Sequence, residues 1–426
     1  MVGIRTPIEV DEAIRRVMKH AKRGEKTYVP LEKCHGYFLA EDLVSDHAVP
    51  PFDRSRYDGY AIRSEDTKKA PVETVELEVV GEIGAGSVFT KEVEKNEAVR
   101  IMTGAEIPAD CDAVVMLEDV TEVERNGKKY IRFNRECSPL ENITETGEDA
   151  EKGEVLVKRG TSINPGVMAL LATFGYKQVP VASKPRVGIL STGSELLPVD
   201  APLEPGKIRD SNSYMLIGQI ERAGGIPVVL GQFVDDLDVC YRQVVDSLEK
   251  VDILLTTGGV SVGDYDYIPA ILEKLNADVL FNKIKMRPGS VTTVAEVDGK
   301  LFFGLSGNPS SCYVGFEIYA RPVIRYFSYS DSPYSRKVNV TLGKAFPKAN
   351  PFHRFVRGKI RYENGGAVGY PVGLDKPNIV TSLAGADALL LLPGGDTGYQ
   401  KGTVVPAVLL EDETGCDWDS WLESTT

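Results

Sequence analysis

Residues 252–266 read Asp-Ile-Leu-Leu-Thr-Thr-Gly-Gly-Val-Ser-Val-Gly-Asp-Tyr-Asp. The apolar run at 253–255 is short and bounded by polar residues, as in a buried parallel strand. It leads into Gly258, Gly259, Ser261, Gly263, Asp264 and Asp266, with a helical pattern beginning near Ile268. Strand, glycine turn and helix start bring backbone N–H groups and the helix dipole toward one point, an arrangement suited to a bound anion. Gly258 and Gly259 let the backbone approach that ligand closely, because no side chain intervenes. Asp264 and Asp266 offer hard oxygen ligands to a divalent cation beside it. An ordinary βα turn with capping acids has the same local pattern, so the flanking chain decides between the two.

On either side, strand and helix patterns alternate. Strands are expected at 186–190, 226–233, 252–257, 278–285, 291–297 and 301–305, and helices at 211–223, 236–249, 266–275 and 309–327. In the 211–223 helix, Leu216, Ile220 and Ala223 share a face and Gly224-Gly225 ends it. Such alternation predicts a sheet with helices on both faces and ligands beyond the carboxyl ends of the strands. Polar residues gather at those ends: Ser191-Thr192-Gly193-Ser194-Glu195, Asp235-Asp236, the 258–266 loop, Lys283 ahead of Met286-Arg287-Pro288-Gly289-Ser290, and Ser306-Gly307-Asn308-Pro309-Ser310-Ser311. Asp210-Ser211-Asn212 is placed to cap a further helix. If these segments converge, one crevice holds glycine amides at Gly258 and Gly259, hydroxyls at Ser261 and Ser306, the Asn308 amide, the cations Lys283 and Arg287, and several carboxylates. That set suits a phosphate-bearing ligand with a divalent metal.

The rest of the chain reads as separate domains. Residues 6–22 predict a helix, with Thr6, Pro7 and Glu9 forming its start and Ile14, Val17, Met18 and Ala21 an apolar stripe. A second helix is expected at 163–174, packed against the first. Between them, β-prone runs at 75–80, 97–101, 112–117 and 128–133 alternate with turn clusters such as Asn126-Gly127. Three polar, glycine-bearing segments stand out there: residues 52–61 around Asp58-Gly59, residues 100–105 around Thr103-Gly104, and Gly147-Glu148-Asp149. Each is also ordinary turn chemistry. The tail returns to β-type runs at 337–341, 354–361, 388–392 and 403–410, the pattern of a small barrel. Arg354 and Arg357 within it could reach an anion from another subunit, but solvated surface charge is the favoured expectation.

The predicted architecture is α/β and multidomain. It has a helical N-terminal domain (1–27 plus 150–180) with an inserted β-domain (28–149), a central three-layer αβα sheet domain (181–328) and a C-terminal β-barrel (329–426). A length of 426 residues fits several domains. The net charge of −13 argues against bulk nucleic-acid binding, so an anionic ligand needs local cations, amides or a metal. No run of 18 apolar residues occurs, and the start of the sequence has no apolar leader, so a membrane role is not expected. Six scattered cysteines and four dispersed histidines predict reduced thiols in the cytoplasm rather than disulfides or a zinc site.

Neither a Walker A sequence nor a Gly-x-Gly-x-x-Gly fingerprint is present. Gly259-Val260-Ser261-Val262-Gly263 does match the nucleophile elbow of α/β-hydrolases. The histidine such a hydrolase needs downstream has one candidate, His353, which falls in the tail. The glycines before the loop and the acids after it fit anion and metal binding better.

Taken together, these segments carry a resemblance. Asp58-Gly59-Tyr60-Ala61, Ile101-Met102-Thr103-Gly104-Ala105, Gly147-Glu148-Asp149, Ser191-Thr192-Gly193-Ser194-Glu195-Leu196, the run from Gly258 to Asp264 and Gly307-Asn308-Pro309 occur in the order of the molybdopterin molybdenumtransferases. The C-terminal domain of gephyrin belongs to the same family. The resemblance spans nearly the whole chain. It implies a four-domain homodimer that inserts molybdenum from molybdate into adenylylated molybdopterin, with Mg²⁺, releasing AMP and the molybdenum cofactor. By motif it implies functional positions at Asp58, Thr103, Asp149, Glu195, Asp235, Asp266, Lys283 and Arg287. Asp235 and Asp266, with Glu195, are the implied metal ligands. The chain departs from the family pattern at Tyr57, at Thr144 where an arginine is common, at Ser290-Val291 and at Ser306. Two alternatives stay open: a nucleotide-dependent adenylyltransferase of the same pathway, against which the flanking 1–180 and 331–426 regions argue, and a non-catalytic molybdopterin-binding scaffold, against which retention of the polar loops argues.

Overall fold

The computed structural model describes residues 6–423 apart from 71, 234–235, 260–266, 364, 396 and 413. Asp235, Ser261, Asp264 and Asp266 therefore lie outside the described residues. The chain forms two compact units: Met1–Glu41, Arg159–Ala172 and Tyr176–Thr426 make one, and Asp42–Lys158 with Thr173–Gly175 the other.

The larger unit is built on a six-stranded sheet in the order Ile226–Gln232, Arg186–Ser191, Ile253–Thr257, Lys300–Leu305, Thr293–Val297, Asp278–Phe281. The first four strands are parallel, Thr293–Val297 is antiparallel to both its neighbours, and Asp278–Phe281 runs with the first four. Chain connections diverge from Arg186–Ser191 and Ile253–Thr257, which lie side by side and so mark the switch point of the sheet. The central strand Ile253–Thr257 is buried along its whole length, as its apolar run requires. Asn212–Ala223 and Pro309–Gly315 cover one face through Leu216, Ile220, Cys312 and Val314. Leu237–Lys250 and Ile268–Lys274 cover the other through Cys240, Val244, Ile271 and Leu272. This is the expected three-layer sandwich.

Two expectations change. The N-terminal helix spans Val10–Lys19, and its buried face of Val10, Ala13, Ile14 and Val17 joins the core with Leu280, Phe281, Tyr319 and Val323. The helix Pro165–Thr173 contributes nothing to that core. The stripe thus covers the last sheet strand and the long helix beside it, rather than the second helix. The strand expected at 278–285 ends at Phe281. Met286–Arg287 turns away to pair in parallel with His353 and Arg354, while the Met286 side chain stays buried in the sheet-domain core beside Tyr319.

That barrel is closed by five strands. His353–Glu363 pairs with Gly366–Pro371 and with Ala388–Leu392, Ala388–Leu392 with Val404–Leu409, Val404–Leu409 with Lys337–Leu342, and Lys337–Leu342 with Gly366–Pro371. Alternate residues fill it, among them Val340, Leu342, Val356, Leu390 and Val405. Phe355, Leu389, Leu391 and Val408 face the sheet-domain core instead.

The smaller unit is a six-stranded sheet ordered Ala113–Met116, Gly59–Ile62, Glu97–Ile101, Val75–Ile83, Lys128–Phe133, Thr121–Arg125, with an apolar core on each face.

Candidate functional site

The sheet's parallel strands end where the glycine loops begin. Thr192 donates from its N–H (2.9 Å) and its Oγ1 (2.8 Å) to the Thr257 carbonyl, and Gly258 N–H donates to Leu305 O at 2.8 Å. The three adjacent strand ends are thereby tied together. Gly258 has φ +89°, and a Cβ there would stand 2.4 Å from Thr192 Oγ1. Gly259 follows at φ +67°. Glycine is thus demanded both by the left-handed backbone and by the close approach. Glu195 is exposed, and its carboxylate leans over Gly193 so closely that a Cβ at Gly193 would lie 2.3 Å from it. Asp236 caps Leu237–Lys250, accepting from Val239 N–H at 2.9 Å. Asp210, rather than Ser211 or Asn212, accepts from Ser213 N–H and Oγ, at 3.0 and 2.6 Å. Asn212 reaches across to Gly307 O at 2.8 Å. Lys283 is half-buried, and its carbonyl accepts from Ile8 N–H at 3.1 Å.

A cavity of about 330 Å³ opens beside these loops. Arg287, Pro288, Gly289, Ser290 and Val291 form one wall, and Ser306, Asn308 and Ser311 another. The third comes from the barrel: Arg354, Asp375, Lys376 and Pro377. Of the residues predicted from sequence, Arg287, Ser306 and Asn308 are brought together here; Lys283 and Glu195 do not line this cavity. Ser306 Oγ accepts from Asn308 N–H at 3.2 Å, bending the chain into Pro309–Gly315.

The expectation that Arg354 and Arg357 are solvated surface charges is overturned. Their side chains are 13% and 1% exposed. Asp375 pairs with Arg357 Nη1 through Oδ1 at 2.9 Å and with Arg354 Nε through Oδ2 at 2.8 Å. Arg357 also donates to Leu374 O at 2.9 Å and Ser382 Oγ at 3.2 Å. A carboxylate 18 residues along the chain draws both arginines inward. Strand alternation alone does not reveal that partner.

The smaller unit gathers its own polar segments. Asp58 Oδ1 accepts from Thr103 N–H at 2.7 Å and Thr103 Oγ1 at 2.8 Å, which holds its carboxyl below the usual carboxylate range. A second clamp repeats the motif: Asp53 Oδ1 accepts from Thr146 N–H and Oγ1, both at 2.7 Å. Arg56 donates to both Glu148 carboxylate oxygens at 2.9 Å and to Thr144 Oγ1 at 3.2 Å. Asp149 is exposed at the end of this loop, its N–H bonded to Val49 O. The three glycine-bearing segments therefore meet. Gly59 is fixed by packing, since a Cβ there would lie 2.2 Å from Val115 O. Asp53 and Arg56 carry this assembly without having stood out in sequence, although both lie in the segment that did.

His353, the hydrolase candidate, opens the long barrel strand opposite Met286. No group of three or more histidine, cysteine or acidic residues is placed for a metal among the described residues. No helix among them is long and apolar enough to cross a membrane.

An αβα sheet with glycine turns at the ends of its parallel strands, a closed barrel and a β-rich unit define a multidomain α/β protein. Residues 8–175 match the MoeA N-terminal region (domain I and II), residues 188–326 a probable molybdopterin binding domain, and residues 339–410 the MoeA C-terminal region (domain IV). A molybdopterin molybdenumtransferase from Bacillus subtilis is 54% identical over 98% of this chain and 97% of its own. One from Staphylococcus epidermidis is 45% identical over 96% and 97%. Two solved molybdopterin biosynthesis MoeA proteins from Pyrococcus horikoshii superpose with TM-scores of 0.83 and 0.80. They are 30% and 32% identical and cover 95% of this chain and 99% and 100% of theirs. The chain belongs to the molybdopterin molybdenumtransferase family, enzymes of molybdenum cofactor biosynthesis.

Proposed function

We propose that this enzyme inserts molybdenum from molybdate into adenylylated molybdopterin, releasing AMP and the molybdenum cofactor. The observation that carries this reading is the cavity beside the glycine loops. Its guanidinium groups, serine hydroxyls and Asn308 amide match a tetrahedral dianion and a substrate phosphate. Arg287, Ser306 and Asn308 take the oxyanion there, while Gly258, Gly259, Ser261 and Lys283 hold the nucleotide phosphates. The phosphoanhydride is hydrolysed as the dithiolene captures the metal oxyanion, so no protein nucleophile is needed.

Mg²⁺ belongs to the same proposal, with Glu195, Asp235 and Asp266 as its carboxylates. Glu195 fits the part: it is an exposed hard-oxygen donor with no cationic partner among the described residues. The ion, when bound, supplies positive charge to the phosphoanhydride. The enzyme acts as a homodimer, in which Asp58, Thr103 and Asp149 of one protomer close the site of the other. Thr103 supports this by fixing Asp58 in its ionised form.

Asp266→Asn and Glu195→Gln test the carboxylate roles. Each is expected to lower Mg²⁺-dependent AMP release by at least about tenfold and to raise the Mg²⁺ concentration needed, with the fold intact by circular dichroism. Variants that match the parent in both respects would remove these residues from the site.

A further inference from the structure

The cavity has a surplus of positive charge that its own acids do not balance. Its one carboxylate, Asp375, is engaged on one oxygen by Arg357 and on the other by Arg354. Arg287 and Lys376 line the same space, and neither forms an ion pair among the described residues. In a chain of net charge −13, an uncompensated cationic pocket is a place for an anion.

Lys376 is held there by a loop fastened from two sides. From the barrel, the fully buried Arg357 donates to the carbonyls of Leu374 (2.9 Å) and Lys376 (3.3 Å). From the sheet domain, Ser310 donates its N–H to Pro377 O at 3.0 Å and its Oγ to Ile379 O at 2.6 Å. Pro377 adds its own restriction to the backbone of Lys376. The backbone that carries this ammonium is therefore fixed against the first turn of Pro309–Gly315, and only the side chain stays free to meet a ligand.

We infer that Lys376, carried on the barrel, is an oxyanion-binding residue of this site. The inference rests on the proposed function of the same cavity. Its ligand is a tetrahedral oxyanion, either free molybdate or a phosphate of the nucleotide, and a lysine serves both as a point charge.

The test is calorimetric titration of the full-length protein with molybdate alone and with AMP alone, at low ionic strength. Lys376→Gln is expected to weaken one of the two by about tenfold, Lys376→Arg to retain most of the affinity, and the difference to shrink as salt rises. Loss confined to molybdate assigns Lys376 to the metal oxyanion, and loss confined to AMP assigns it to the nucleotide phosphate. In turnover, a molybdate contact raises the KM for molybdate with kcat preserved at saturation. Arg287→Ala is the control that separates the two claims. If it abolishes anion binding while Lys376→Gln binds both anions as the parent does, the inference falls and the pocket stands. If neither variant changes binding, the oxyanion reading of the cavity falls with it.

Discussion

Asp58 and Asp375 are both held by neighbours, with opposite consequences for what a substitution does. Asp58 sits at the surface and gains two hydrogen bonds from Thr103, so its carboxyl titrates below the ordinary value. A depressed carboxylate stabilises the fold above its unfolded pKa, and that contribution is lost as pH falls through the folded value. Asp58 therefore stays ionised throughout the neutral range. Thr103→Val is expected to bring its titration back up toward that of a free aspartate, read directly by carboxyl-carbon NMR. Asp375 instead neutralises Arg357, which is 1% exposed. Asp375→Ala leaves that guanidinium buried and unpaired and should cost about 3–5 kcal/mol in urea denaturation. Converting Arg357 to Met in the same background should recover much of the loss. The positions of the polar runs after Arg186–Ser191 and Lys300–Leu305 were legible in the sequence because each apolar strand ends sharply in glycine and hydroxyl residues. Arg354 and Arg357 were not: an arginine in an alternating strand looks the same whether it meets water or a carboxylate from a distant loop.

Elements were legible where one period dominates a run. Ile253–Thr257, Asn212–Ala223 and the barrel strand Ala388–Leu392 lie where the apolar patterns put them. What a pattern leaves open is the partner. The run 278–285 looks like one strand, yet it stops at Phe281, Ile284 bridges Ile8 and the next residues, Met286–Arg287, pair with the barrel, because apolar alternation does not say which element receives it. The stripe of Val10–Lys19 has the same ambiguity, and it was settled by the uncovered face of the sheet domain. Turn glycines are more decisive, since their backbone angle limits what can replace them. Gly258→Ala places a Cβ at φ +89° and 2.4 Å from Thr192 Oγ1. It should cost about 1–3 kcal/mol by denaturant titration and lower AMP release further than that loss of stability explains.

At the scale of the whole molecule, the charge balance and the site point the same way. A chain of net charge −13 concentrates cations around one cavity, so binding there should be steered by local charge and weakened by salt. The barrel and the β-rich unit were legible from their spaced turn clusters, whereas the barrel's share in the cavity was not, because the Asp375-Lys376-Pro377 run reads as plain turn chemistry. Dimeric function has its own test. Protomers carrying Asp58→Asn exchanged in equal amounts with protomers carrying Arg287→Ala should regain about a quarter of parental activity, since half the dimers are then mixed and each has one of its two composite sites intact. Equal inactivity of the mixture would place both residues in the same protomer's site. Molybdate-dependent turnover is read by AMP release from adenylylated molybdopterin with Mg²⁺, with and without molybdate. Release that rises several-fold on adding molybdate is the predicted result. Release that is unchanged by molybdate, or substrate that does not bind at all, would contradict the assignment of this cavity to metal insertion.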